Sequence, residues 1–598
     1  MNRKSYRMAA LLAALMISCA TWSLAAGKAA AGRAEAGPVP QAPPKSAVMT
    51  AMELELDRSM KTLGAVDPKA YYVDYTINDH QRTEVQGSNG ALLDSNEVRA
   101  RYLQVEVRVG DYQEDNTRKV GDRRDNFGGA ISVPIEDDTN VIRRAIWLQT
   151  DRRYREAAEA LLQIKTGREV KVQSQEGSAP DFSKEPPQVY SEPRASYRVD
   201  RAPWEARVRA YTKAFRDSAA VLNSIATFSA LAETEYQVNS EGTRLQFGHV
   251  SYRLELFVQT KAEDGMNIER YANFDWTDKS PAPEEKAVMA QVQQLIKEAE
   301  ALRTAPLVDP YAGPAMLTGR AAAVFFHEVF GHRAEGHRQK ELNEGQTFAR
   351  KVNESIMPSF ISVISDPTMK KVGPTELLGF YPFDDEGVKA QRVVLVDKGV
   401  LKNFLMSRSP LIGFPHSNGH GRRQIGLEPV SRQSNLIVEN TDPARRVTNA
   451  QLKALLVEQI KKQNKPFGLL IDDIAGGFTF TGRGLPQAFQ VLPLVVYKVF
   501  PDGRPDELVR GVDIVGTPLL SLTKIIATGD TPEVFNGYCG AESGSVPVSA
   551  VAPPILITEM EIQKKETSTD KPPILPHPSH DKQQASSTAS GTGIGGRQ

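Results

Sequence analysis

Apolar residues recur every three or four positions over residues 51–63, 152–165 and 284–303, and each stretch predicts an amphipathic helix. In the last of these Val288, Val292, Leu295, Ile296 and Ala299 share one face. Apolar and polar residues alternate over 71–77 and 102–109, which predicts strands. Residues 204–232 read as one or two helices, and 234–259 as a hairpin turning at Asn239-Ser240-Glu241-Gly242. The polar stretch 173–193, with Pro180, Pro186, Pro187 and Pro193, reads as a surface loop or linker.

Beyond residue 307 the pattern changes. Ala321-Ala322-Ala323-Val324-Phe325-Phe326 is apolar on every side of a helix, so a helix starting near Thr318 is expected to be buried. Short runs at 393–396, 400–404, 436–438, 469–471, 491–499 and 507–515, punctuated by glycine, read as strands. The expected class is α+β. An N-terminal α/β domain (49–306) holds a mixed or antiparallel sheet with flanking helices. The buried helix and a mostly β C-terminal domain follow, over 307–563. No internal repeat is visible.

The two ends read as processing and tether segments. Arg3, Lys4 and Arg7 precede an apolar run over 8–20 that is too short to span a bilayer, and Ser23-Leu24-Ala25 offers a cleavage site. Residues 1–25 are therefore expected to be a signal peptide, which implies export to a periplasmic or extracellular location. A second reading is a lipoprotein signal, with Met16-Ile17-Ser18 before a lipidated Cys19. Residues 26–48, rich in Ala, Gly and Pro, read as a linker, and the polar stretch 564–598 as a disordered tail. No later segment is apolar for long enough to cross a membrane.

The 598 residues carry 73 Lys+Arg against 73 Asp+Glu, and this zero balance argues against nucleic acid as a partner. There are two cysteines, Cys19 and Cys539. Once Cys19 is removed or lipidated, Cys539 has no internal disulfide partner in an oxidising compartment. It is then a buried apolar residue, a metal ligand or a nucleophile.

The densest chemistry lies between His327 and His337, in H-E-V-F-G-H-R-A-E-G-H. Imidazoles beside a carboxylate suit a hydrolytic zinc site, where the carboxylate takes a proton from metal-activated water. The spacing is one residue longer than H-E-x-x-H. In a regular helix i and i+4 lie about 40° apart, but i and i+5 lie about 140° apart. The helix is therefore expected to bulge or break near Gly331 so that His327 and His332 face one metal.

His327-Glu328-x-x-Gly331-His332-x-x-Glu335-Gly336 resembles the motif of the TldD/PmbA family of metallopeptidases. In the same order as that family come Phe383-Asp384-Asp385-Glu386-Gly387, Gln391-Arg392-Val393-Val394-Leu395, Lys398-Gly399-Val400-Leu401 and Asn418-Gly419-His420-Gly421-Arg422-Arg423. Gly476-Gly477, Cys539-Gly540, Pro547 and Pro553 complete the series. The resemblance implies one zinc per chain held by His327, His332 and Cys539, with Glu328 as general base. A catalytic zinc wants three protein ligands, and this chain offers two closely spaced histidines and one otherwise unexplained thiol.

Glu335 is then a hydrogen-bond partner for a ligating histidine or a surface carboxylate. The Asp384-Asp385-Glu386 run reads as an acidic turn before glycine or, as its alternative, a metal or acid-base cluster. Arg422 and Arg423 hold a substrate carboxylate or pair with that run. His337 is outside the motif and is an alternative third ligand; His416 and His420 read as loop residues. The resemblance further implies hydrolysis of peptides or unfolded chains, in a homodimer or in a heterodimer with a paralogue. Two other classes are kept. One is a cysteine hydrolase using Cys539 with a histidine base. The other is a non-catalytic subunit whose β half captures extended peptides.

Overall fold

The structure is a computed structural model that describes residues 46–118, 129–170, 179–341, 344–482, 488–565, 571–573 and 575. The expected signal peptide, the Cys19 lipidation site, nearly all of the linker and most of the tail lie outside the described residues. The first helix, Ala47–Leu63, is capped by Ser46, whose hydroxyl accepts from Met49 N, so it takes up the last residues of the expected linker.

The N-terminal half is built on a seven-stranded sheet. Its path runs Ile131–Ser132, Ala91–Val109, Ala70–Ser88, Asn223–Asn239, Arg244–Lys261, Val189–Ser191, and Asn267–Thr277 pairs with Arg244–Lys261 as well. Among the described residues of this sheet only Val189–Ser191 pairs parallel. Helices Ala47–Leu63, Thr139–Val170, Arg201–Arg216 and Glu285–Thr304 accompany this sheet. The Glu285–Thr304 helix buries the face read from its periodicity, Val288, Val292, Leu295, Ile296 and Ala299.

Three sequence expectations change here. The strands expected at 71–77 and 102–109 are halves of 19-residue strands joined at Asn89-Gly90, both with positive φ (52° and 84°). That is the Asn-Gly hairpin turn. The outer halves carry polar residues on both faces, which hid their alternation. Second, the expected helical stretch 204–232 is a helix only to Arg216, and Asn223–Asn239 is a strand. Along its first half the buried positions are small except for Phe228 (Ser224, Ala226, Ala230, Ala232), and the half-buried face carries Ile225 and Leu231, so the period of two is weak in hydrophobicity. Third, 173–193 is not merely surface where it is described. Phe182 and Ser183 are buried, and Ser183 O accepts from the guanidinium of Arg408.

The C-terminal half holds two larger sheets. In one the order is Val400–Leu401, Val393–Asp397, Ile361–Ser365, Asn435–Asn440, Gly544–Ala552, Glu533–Ala541, which leaves Glu533–Ala541 at an edge. The other runs Gly468–Thr479, Tyr311–Leu317, Ile555–Lys564, Val512–Gly516, Phe489–Val499, Glu507–Val509. Because Gly468–Thr479 also pairs with Phe489–Val499, this path closes on itself. The expected strand 507–515 is two strands interrupted at Arg510-Gly511, where Gly511 has φ 76°. A helix missed in the sequence, Asn449–Lys462, starts with a Thr448/Gln451 capping box and buries Leu452, Leu456 and Ile460.

The helix Gly319–Val329 packs against strands of both sheets. Ala321 to Val329 are all buried, which is why its sequence is apolar all round. Among the described residues no helix is long and apolar enough to cross a membrane.

Candidate metal centre

The site begins where that helix ends. Thr318 caps its start, with Oγ1 accepting from Ala321 N at 3.5 Å. The α-helix stops at Val329, and Gly331–Ala334 continues as a 3₁₀ turn. The extra residue between the histidines is absorbed by this break, not by a π-bulge. The His327 and His332 rings come to 4.9 Å between centroids.

One side chain from elsewhere and one from the turn itself stabilise the break. A helix end leaves its last carbonyls without backbone donors. Gln433 Nε2 donates to His327 O at 3.4 Å, and Arg333 Nη1 donates to Glu328 O at 3.2 Å. Gly331 is required by a close approach: a Cβ there would lie 1.9 Å from Gln433 Oε1.

Cys539 arrives on the edge strand Glu533–Ala541. Its Sγ lies 3.3 Å from His332 Nε2. One ligand atom from each of His327, His332 and Cys539 lies within 4.8 Å of the other two, and all three residues are buried. In a tetrahedral zinc site sulfur and nitrogen ligands sit roughly 3.5 Å apart, so the donor set and the spacing suit zinc. His327 Nδ1 is buried and has no hydrogen-bond partner among the described residues.

The groups of the cluster shift one another's ionisation. Burial opposes charge on His332, but the Cys539 sulfur and the Glu335 carboxylate outweigh it and hold the ring well above the usual histidine range. Burial likewise opposes a thiolate, yet His332 and His327 hold Cys539 well below the usual thiol range. Glu335, fully buried, accepts from His332 Nδ1 (3.3 Å) and from Arg338 Nε (2.8 Å). Its carboxyl overcomes burial and is held down to about 2 by His332 and Arg338.

Glu328 follows His327 on the helix and is 7% exposed. Gly477 packs directly on it: a Cβ at 477 would lie 2.8 Å from Glu328 Cγ. The adjacent Gly476 has open space where a side chain would be. The strand bearing both glycines is irregular before them, with register shifts between Ile471 and Gly476.

The remaining sequence candidates are bonded to groups other than His327, His332 and Cys539. His337 points away, Nε2 pairing with Glu542. Arg422 Nη1 donates to Gln433 O (3.0 Å) and Pro547 O (2.7 Å). Arg423 N donates to Asp385 Oδ2 at 2.6 Å and its guanidinium donates to Thr76 Oγ1 at 3.0 Å. The acidic run staples backbone. Asp384 accepts from Glu386 N, Val388 N and Gly421 N, and Glu386 accepts from Arg408 N. His420 is buried, with Nε2 2.9 Å from Ser365 Oγ. His416 is exposed. Arg432, Gln433 and Arg333 were not legible as site residues, because their partners lie far away in sequence or on backbone atoms.

Residues 311–564 match the family described as PmbA/TldA metallopeptidase C-terminal domain. A protein of Archaeoglobus fulgidus named metalloprotease is 31% identical over 236 residues, 39% of this chain and 49% of that protein. A zinc metalloprotease TldD homolog of Saccharolobus solfataricus is 25% identical over 257 residues, 42% of this chain and 52% of that protein. The chain spans about half the length of these curated relatives. In fold it is similar to TldE from Thermococcus kodakarensis, with a TM-score of 0.54 and 14% identity over 86% of this chain and 100% of that one.

Proposed function

We propose that this chain, which belongs to the TldD/PmbA family by its match over residues 311–564, is a zinc-dependent peptidase acting on peptides or unfolded chains. One observation carries the reading: three buried ligand atoms converge at the end of the helix that bears Glu328. Zinc held by His327, His332 and Cys539 supplies a Lewis acid that polarises a peptide carbonyl and acidifies water. Glu328, as general base, takes the proton from water and returns it to the departing amine nitrogen. Glu335 fixes the ring of His332 through Nδ1. Gly477 leaves the space that the Glu328 side chain fills.

The test is Glu328→Gln in the full chain. It is expected to keep one zinc per chain and to lose hydrolysis of an unfolded peptide. Retained turnover removes Glu328 as the base. The contact of Cys539 Sγ with His332 Nε2 also favours a second reading, a thiolate nucleophile with a histidine base. A chelator separates the two: it stops a zinc enzyme and spares a cysteine hydrolase. A chain that binds peptides but never turns them over is the non-catalytic subunit. Dimerisation, with a second copy or a paralogue, and export behind residues 1–25 belong to the same proposal. Light scattering of the purified chain, and N-terminal sequencing of the mature protein from cell fractions, check them.

A further inference from the structure

Arg432 is fully buried on the loop between strands Val430–Ser431 and Asn435–Asn440. Its guanidinium reaches both halves of the metal cluster. Nη2 donates to Cys539 O at 2.5 Å, and Nη1 donates to Ser543 Oγ (2.7 Å) and to Gly544 O (2.9 Å). These bonds hold the turn between strands Glu533–Ala541 and Gly544–Ala552, directly after the thiol ligand. On the other side, Arg432 Nε lies 3.7 Å from Glu335 Oε1, the carboxylate that orients His332. Arg432 is anchored in turn by its own N–H, which donates to His420 O at 2.9 Å.

His332 and Cys539 are 207 residues apart, on a helix end and on an edge strand. Neither element fixes the distance between them. A planar guanidinium with five N–H donors in a rigid fork can hold two partners at a set separation; a lysine ammonium is a single point charge on a flexible stem. We propose that Arg432 is a positioning residue that sets the spacing of His332 and Cys539: it hydrogen-bonds the Cys539 carbonyl while its charge attracts the Glu335 carboxylate across 3.7 Å. The inference rests on the zinc reading above.

The experiment titrates zinc into the full chain against a chromophoric competing chelator, for the wild type, Arg432→Lys and Arg432→Met. Cobalt(II), loaded in place of zinc, reports the thiolate ligand through its charge-transfer band. Loss of a group that orients metal ligands costs about tenfold to a hundredfold in affinity. Arg432→Lys is expected to fall in that range and to shift the cobalt band. Arg432→Met is expected to fall further. A merely structural arginine would lower the urea midpoint and leave the affinity and the band of the folded protein unchanged. Folded variants that bind zinc within about threefold of wild type overturn the proposal. If neither Arg432 variant folds, Ser543→Ala takes their place. It removes one guanidinium partner and is expected to weaken zinc by about threefold to tenfold. Unchanged affinity in that variant overturns the proposal equally. A wild-type chain that binds no zinc overturns the metal reading itself, a result distinct from wild-type binding that Arg432 does not influence.

Discussion

Replacing Gly331 with alanine tests whether the helix break is held open by Gln433. The added Cβ would lie 1.9 Å from Gln433 Oε1, 2.3 Å from Cδ and 2.7 Å from Nε2. The carboxamide must therefore leave. Forcing extra carbon into a packed interior costs about 1–3 kcal/mol. Displacing the amide strips His327 O of its donor, and a buried carbonyl left without a partner costs about 1–3 kcal/mol more. Alanine recovers roughly 0.4–1 kcal/mol by restricting the unfolded chain, since the backbone at 331 is not in the left-handed region. The net expectation is a loss of about 1–5.5 kcal/mol in urea unfolding, with weakened zinc binding because the His327 end of the break moves. Gly476→Ala is the control, since nothing lies within 4 Å of the new atom. Shortening the obstacle is the decisive arm: Gly331→Ala with Gln433→Ala is expected to be more stable than the two single effects summed, by about 1–3 kcal/mol. Strict additivity, or a Gly331→Ala chain as stable as wild type, refutes the reasoning.

Other expectations follow from the same geometry. Gly477→Ala drives a methyl against Glu328 Cγ and Gln490 O, both at 2.8 Å, so turnover should fall at least about tenfold while zinc content stays at the wild-type value. Arg408→Met should destabilise the chain by about 3–5 kcal/mol in urea. It removes the ion pair to Glu241 (2.8 Å) and the bond to Ser183 O that tie the N-terminal sheet to the C-terminal half. Burial pushes Asp74 up to about 7, and burial with Asp384 pushes Glu386 up to about 8. Both folded values exceed the unfolded ones, near 4, so the folded chain holds more protons. The stability they contribute is complete below about pH 4 and is lost as pH rises through 7 and 8. The urea midpoint should drop between about pH 4 and 8 and level off above that, and Glu386→Gln should flatten that slope; an unchanged slope counts against the assignment.

Much of the architecture is written in local pattern. The all-apolar run before His327 calls for a helix buried on every side, and the two sheets that enclose it provide that. The face of the Glu285–Thr304 helix and the turn at 239–242 are local too, because periodicity and turn residues act over a few positions. Elements went astray where burial falls on small or polar side chains. The first half of Asn223–Asn239 buries mainly serine and alanine between two neighbouring strands, with Ile225 and Leu231 on the other face, so a period of two in burial leaves little trace in hydrophobicity.

The centre divides along the same line. His327, Glu328 and His332 stand in one short run, and a spacing of five already demanded a distortion near Gly331. The kind of distortion was not written there. A helix can bulge or stop, and the choice depends on who satisfies the freed carbonyls, here Gln433 and Arg333. By itself the sequence determined the donor types, the carboxylate beside the first histidine and the need for a break, because these are properties of adjacent residues. Only the tertiary structure decided that the helix ends in a 3₁₀ turn, that Cys539 closes to 3.3 Å from His332, and that one buried arginine spans both. Such contacts join residues about a hundred positions or more apart, and a chain closes loops of that length only when the whole core folds around them.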